Sequence, residues 1–535
     1  MGRELAVDVA VIGGGLGGVA AALAAARAGR RVLLTEESDW LGGQLTSQAV
    51  PPDEHPWIEQ FGCPASYRTL REGIREYYRR WYPLSEAARA DRYLNPGRGT
   101  VSALCAEPRV AVVVLEAMLA PYRTSGQLTV LMQHRPVSAT VTGDRVTSVT
   151  LTGPDQDSVT VTAEYVLDAT ETGELLPLTG AEHVMGAESR AQTGEPHAKD
   201  SPEPLNHQAV SWCFAVEHRA GEDHTIDRPA EYDFWRTHHP PAWTGPLLSF
   251  VAPVPRTGEP LTRTFTPNPP PVPITVDHRT VGGDYELWTF RRILARETFT
   301  PGFLASDVTL VNWPMIDYFE GPVYGGSAEE AQTHLRRARE LSLSFLYWLQ
   351  TEAPRPDGGT GYPGLRLRGD LLGTADGLAK RPYIRESRRI AAQYTVVEQD
   401  VAVAATGQVE PVRFPDSVGV GSYRIDLHPS TGGDGYLDVA SRPFEIPLRA
   451  LVPVRMTNLL PAAKNIGTTH ITNGCFRLHP VEWTVGEVAG LLADHCLTHR
   501  RPPQAVTADP ERVADFQRRL VAEGVELHWP EVRGY

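Results

Sequence analysis

The first thirty-six residues carry the clearest hydrophobic pattern in the chain. Val7, Val9, Val11 and Ile12 form a short β-branched apolar run, glycines break it at once, and an Ala/Leu-rich segment follows with no breaker until Gly29. A second apolar run, Val32-Leu33-Leu34, ends in Thr35 and Glu36. This order predicts strand, tight turn, helix, strand. Residues 65–125 repeat apolar and aromatic positions at helical spacing, interrupted around Asn95-Pro96-Gly97. From 127 to 167 the period falls to two, which predicts a meander of antiparallel strands with a hairpin turn at Gly143-Asp144.

Between 182 and 320 the pattern is irregular, rich in proline over 264–276 and punctuated by Trp212, Phe234, Trp235, Trp243, Trp288 and Trp313. Val308 to Val311 reads as a strand, and the polar and aromatic residues 312–318 after it either line a pocket or pack. His224, His238 and His239 lack metal-ligand spacing and are expected in a solvated loop. Residues 327–352 predict a long amphipathic helix opened by a capping box of Ser327 and Glu330. Helices are also expected over 481–497 and 510–523.

The turn after the first strand holds Gly13-x-Gly15-x-x-Gly18. Such glycines permit the sharp turn, a close approach of backbone to a pyrophosphate, and tight helix–strand packing, and the helix N-terminus favours the anion. Gly13, Gly15, Leu16 and Gly18 are therefore candidate cofactor contacts. Glu36 follows about 20 residues later, where a carboxylate accepts ribose hydroxyls.

Composition narrows the class. The 535 residues are 41% hydrophobic and 22% charged, as in a globular protein, with net charge −14 and no basic block, so neither nucleic acid nor membrane is an expected partner. Cys63, Cys105, Cys213, Cys475 and Cys496 are scattered without a CxxC, which argues for a reducing compartment and against a disulfide framework, a dithiol redox pair or a zinc site. The first apolar run is already the nucleotide strand, and no 18-residue apolar run exists, so a cytoplasmic protein without signal peptide or membrane span is expected.

Asp39 to Gln48 places Gly42-Gly43 shortly after the ribose-binding acid. With this loop the sequence resembles FAD-dependent oxidoreductases of the glutathione-reductase type. The resemblance implies that Gly42 and Gly43 lie along the pyrophosphate, that Gln44, Thr46 and Ser47 point toward the ribityl chain and flavin, and that Val137 approaches the adenine through its backbone. The return segment DATETGEL, holding Ala169, Thr170 and Gly173, and the segment Arg385-Glu386-Ser387-Arg388-Arg389-Ile390 resemble one subgroup of that family more narrowly. Thr170 or Thr172 also suits a helix N-cap. The arginines bind either a carboxylate or phosphate or form an ion-pair network joining the lobes. Asn465 sits on a strand reaching the cofactor, and Arg477-Leu478-His479-Pro480 leads into a helix that the resemblance aims at the flavin, with Gly486, Ala489 and Gly490 allowing close packing on the sheet.

The expected fold is α/β: a Rossmann-like FAD-binding domain with a parallel central sheet and a β-meander insertion, plus an inserted α+β substrate lobe. The divisions are 1–181 and 376–503 for FAD, 182–375 for the lobe, and 504–535 for a tail. The expected function is two-electron oxidation of a small organic molecule by hydride transfer to flavin N5, with oxygen or a redox partner as acceptor. A monooxygenase reduced by external NAD(P)H and a non-catalytic binding module are the alternatives. His470 and His479 are the candidate proton acceptors, since histidine titrates near neutrality. Tyr383 and Arg385 are candidates for orienting substrate, and Arg477 is a candidate both for the chemistry and for holding FAD. A homo-oligomer is compatible with the sequence.

Overall fold

The computed structural model describes residues 3–271 and 285–534. The end of the Pro-rich stretch, 272–276, lies outside the described residues.

The central sheet contains β1 (Arg3–Ile12), β2 (Val32–Glu36), β3 (Leu128–Met132), β4 (Arg135–Thr142), β5 (Arg145–Thr152) and β6 (Ser158–Asp168) in the order β3-β2-β1-β6-β5-β4. β1, β2, β3 and β6 run parallel, and β4 and β5 antiparallel. The expected meander is corrected at its first member. β3 lies parallel beside β2, Val32 opposite Leu128, because the helices before it return the chain to the same end of the sheet. β6 has two neighbours on one edge: Ser158–Val161 pair with β5, and Val166–Asp168 pair with the distant strand Leu459–Pro461.

Helix α1 (Leu16–Arg27) is buried from Leu16 to Ala26. It lies against helix α6 (His479–His499), and here the small residues find their reason: a Cβ on Gly486 would stand 1.9 Å from the carbonyl oxygen of Gly17, and one on Gly490 2.4 Å from that of Ala21. The partner of these glycines is α1, where the sequence pattern suggested the sheet. Between β2 and β3 the chain inserts helices α2 (Ala65–Trp81) and α3 (Pro108–Thr124).

A second core lies beyond residue 182. Strands β7 (Phe214–His218), β8 (Arg292–Leu294), β9 (Val308–Val311) and β10 (Leu365–Leu367) form an antiparallel sheet in the order β8-β9-β7-β10. Helix α4 (Ala328–Thr351) covers it, with Trp235, Trp288, Trp313, Phe345 and Trp348 in the core. The Ser327 hydroxyl caps the Glu330 amide, and the Glu330 carboxylate returns to the Ser327 amide, so the capping box is formed. Strand β11 (Leu459–Pro461) leads the chain back to the main sheet, followed by helix α5 (His470–Phe476), α6 and helix α7 (Pro510–Ala522), which packs on α6. No helix among the described residues is long and apolar enough to cross a membrane.

Candidate active site

β1 ends in Gly13, whose φ of +107° turns the chain where a Cβ would stand 2.2 Å from the Ala169 carbonyl oxygen. The turn is fastened to β2: Gly13 N donates to Thr35 Oγ1 (3.1 Å) and Gly14 N to Glu36 Oε2 (3.0 Å). Ser38 N donates to the other Glu36 oxygen at 2.8 Å. Burial pushes the Glu36 carboxyl up to about 7, helped by the charge of Glu37. α1 begins at Gly15 with no side-chain cap, so its first amide groups point outward. Gly42 N bonds the Gly14 carbonyl at 2.8 Å and brings the second glycine loop across the turn.

An open cleft of about 1670 Å³ runs from these turns toward the second core, lined among others by Gly13, Gly15, Glu36, Arg135, Thr170 and Arg388. Ala169 also lines it. Gly18 serves the packing of the turn, its Cβ position lying 1.9 Å from the Gly13 carbonyl, and Leu16 is buried. Gly173 turns the return loop at φ +65°. The Val137 side chain points to solvent, while His134, Arg135 and Pro136 before it border the cleft. Thr46 and Ser47 spend their hydroxyls inside their own loop, on the carbonyls of Leu41 (2.5 Å) and Gly43 (3.3 Å). Asn465 likewise bridges Ala463 N and the Asp168 carbonyl, fastening the end of β11 to β6.

The mouth of α1 holds a cluster that sequence reading missed. The Glu482 carboxylate accepts from Gly17 N at 3.3 Å and from Gln44 Nε2, which also reaches the Arg477 carbonyl. Glu171 Oε1 lies 2.9 Å from the position a Cβ on Gly15 would take and 2.6 Å from that on Gly43, and its Oε2 accepts from Lys464 Nζ at 2.6 Å. Lys464 is buried. Burial alone would weaken its charge, but Glu171 and Glu482 raise its pKa above the ordinary lysine value.

Past Gln44 the contacts continue to the second half of the site. Arg477, in the two-residue link between α5 and α6, donates to Tyr383 Oη at 2.6 Å and to Asp426 Oδ2 at 3.0 Å. Asp426 lies 3.6 Å from His428 Nε2, and His428 Nδ1 is 2.5 Å from Asp317 Oδ2. Asp317 is fully buried and also accepts from Ser211 Oγ (2.5 Å) and Arg385 Nη2 (3.0 Å). Burial opposes its charge, yet Arg385 and His428 hold its pKa below the usual carboxylate range. His428 borders an open cavity of about 260 Å³, whose walls include His470, Glu188, Glu195, Lys199 and Tyr436.

The structure gives the two candidate bases different surroundings. His470 Nδ1 stands 2.9 Å from Glu386, which is held down to about 2 despite burial by His470 and Arg389. Burial lowers the His470 pKa, and Glu386 more than restores it. His479 is buried in the first turn of α6, its Nδ1 accepting from Asp53 N at 3.1 Å, and burial pushes its pKa down to about 4. An imidazole so poised gives Nε2 a proton to donate and takes none at neutral pH. The arginines of 385–389 are divided: Arg385 and Arg389 lie in buried ion pairs with Asp317, Glu386 and Glu188, whereas Arg388 borders the cleft.

Five buried polar atoms around the turn, α6 and Arg477 have no partner among the described residues: Gln44 Oε1, Gln48 Nε2, Glu171 Oε1, Arg477 Nε and His479 Nε2. Buried donors and acceptors are ordinarily satisfied, so this set fits a polar cofactor laid along the loops. The fold and site define a dinucleotide-binding oxidoreductase of the flavoprotein class. The sequence model of the FAD dependent oxidoreductases matches residues 8–520, and the chain belongs to that family and uses FAD. No curated protein matches the sequence.

Among solved structures, the chain is similar to a geranylgeranyl bacteriochlorophyll reductase-like protein from Thermoplasma acidophilum, with 11% identity, 98% of this chain and 85% of that one covered, and a TM-score of 0.34. It is similar to a myxobacterial chondrochloren halogenase at 12% identity, 96% and 79% coverage and a TM-score of 0.33. The L-proline dehydrogenase of P. horikoshii matches at 16% identity and a TM-score of 0.19 over 36% of this chain, which spans 26% of that enzyme's length.

Proposed function

We propose that this FAD-dependent oxidoreductase dehydrogenates a small polar organic molecule held in the cavity beside His428, with His428 as the proton acceptor. The Asp317–His428 pair carries the reading. A buried carboxylate at Nδ1 fixes the tautomer and orientation of the ring and stabilises the imidazolium that forms, so Nε2 is the nitrogen left for a substrate proton. Asp426, held by Arg477, flanks the same nitrogen at 3.6 Å. Arg477, bonded to Tyr383, holds Asp426 in place beside this ring, and Gln44, Gln48 and His479 offer hydrogen bonds to the cofactor. FAD, when bound, supplies the two-electron acceptor for the hydride of the substrate C–H bond. Oxygen or a redox partner then takes the electrons.

The test is anaerobic bleaching of the purified yellow protein by a panel of alcohols, amines and hydroxy acids. Reduction by one of them without added nicotinamide, slowed by His428→Gln with FAD content unchanged, supports the reading. A protein that binds no FAD, or that is bleached only by NAD(P)H, overturns it.

A further inference from the structure

The far end of α6 from the candidate active site carries His495 and His499, one turn apart, and α7 brings Asp515 beside them. One ligand atom from each lies within 4.8 Å of the others, and among the described residues this is the one group of three such side chains so placed. We propose that His495, His499 and Asp515 form a site for a borderline divalent transition-metal ion such as zinc, cobalt or nickel, with solvent completing the coordination.

The chemistry is specific at each position. Residues four apart on a helix share a face, so two imidazoles at i and i+4 can approach one ion. Their rings here stand 4.3 Å apart between centroids. His495 rests its ring on Phe516 at 5.2 Å, and neither of its nitrogens has a hydrogen-bond partner among the described residues. The two oxygens of Asp515 face different ways: Oδ1 takes Arg518 at 2.9 Å, and Oδ2 faces His499 Nε2 at 4.0 Å. One carboxylate oxygen is therefore left toward the imidazoles.

Metal–ligand bonds of about 2.0–2.2 Å place ligand atoms roughly 3.3–3.6 Å apart in a tetrahedron, which the exposed His499 and Asp515 side chains reach by small rotations. The pocket around them, about 890 Å³ and open, is also bordered by Arg501, Asp509, Glu511, Arg512 and Arg518. Its arginines balance the acids, so the surface does not gather cations without ligands of the right type. Two imidazoles with one carboxylate select borderline transition ions over calcium or magnesium, which prefer oxygen. Such an ion would tie the last turn of α6 to α7.

The experiment is titration of the FAD-loaded protein, cleared of metal, with cobalt and zinc. One equivalent of cobalt is expected to bind with a visible d–d absorption, zinc to displace it, and zinc to raise the melting temperature. His499→Ala and Asp515→Asn change exposed side chains and are each expected to weaken zinc binding at least tenfold and to abolish the thermal shift, with flavin content as in wild type. Unchanged zinc affinity in both variants, or no stoichiometric binding by wild type, overturns the proposal. Magnesium at the same concentrations is expected to give neither signal.

Discussion

Asp317 holds Nδ1 of His428 at 2.5 Å while its other oxygen takes Arg385 at 3.0 Å, so one buried carboxylate serves a candidate base and a buried guanidinium together. This sharing separates two variants. His428→Gln removes the proton acceptor and leaves Arg385 paired, so substrate-driven flavin reduction should fall about 10²–10⁴-fold with little change in melting temperature. Asp317→Asn also uncouples a buried arginine, and should lose about 3–5 kcal/mol of stability besides. Stopped-flow reduction and thermal melting of both proteins check this.

Lys464 and Glu171 predict an effect on affinity. The Glu171 carboxylate lies against Gly15 and Gly43, where it opposes the approach of a second anion, and Lys464 is the cation within reach of both. Glu171→Gln should tighten FAD binding to the apoprotein about tenfold, and Lys464→Met should weaken it by a similar factor, each near 1.4 kcal/mol. Quenching of free flavin fluorescence on titration with apoprotein measures both.

Burial raises the carboxyls of Glu36 and Glu174 to about 7 and that of Asp168 to about 6, from ordinary values of 4.5 and 3.8. Between about pH 4 and 7 the folded apoprotein thus keeps protons the unfolded chain has released, and these groups lower its stability as pH rises. His55, His207, His479 and His495, pushed down to about 4 by burial, act in the opposite direction over that window, so the carboxylates must be read by difference. Stability of Glu36→Gln minus wild type should climb by up to about 1.4 kcal/mol per pH unit between pH 5 and 7, then level off. Denaturant melts of the two apoproteins at pH 5, 6, 7 and 8 provide the difference, and a flat profile contradicts the burial of Glu36.

Gly486→Ala places a methyl group 1.9 Å from the Gly17 carbonyl oxygen. Since backbone stands on both sides, the helices must separate, at a cost of roughly 3 kcal/mol or more. The variant should melt lower and retain less FAD after gel filtration, and Ala489→Gly, without this contact, should keep its FAD.

The nucleotide cradle was legible because it is local: one strand, three glycines and an acid at fixed spacing within Val7–Glu36 carry it. The capping box of α4 and the two-period strands were readable for the same reason. β3 was misread because period two tells strand from helix but does not tell a parallel neighbour from an antiparallel one. Asp317 lay in the stretch 312–318, which reads as pocket lining or packing, whereas His428 and Asp426 had no signal. Asp317 comes from a two-residue strand, Asp426 from the short strand Ile425–Leu427 and His428 from the position just after it, and only the tertiary fold makes them a set. Glu171, Lys464 and Glu482 lay within or beside recognised motifs, yet nothing in their spacing shows that their side chains converge on Gly15. The ordinary titration range that makes a histidine a candidate base is removed at His479 by burial.

The contact of Gly17 with Gly486 spans 469 positions of the chain, and the return of β11 to β6 adds another long closure. A ribosome must therefore finish nearly the whole polypeptide before α1 has its covering helix. Cofactor capture is by this geometry a late event in biogenesis, and an N-terminal fragment with every glycine of the fingerprint intact should emerge colourless.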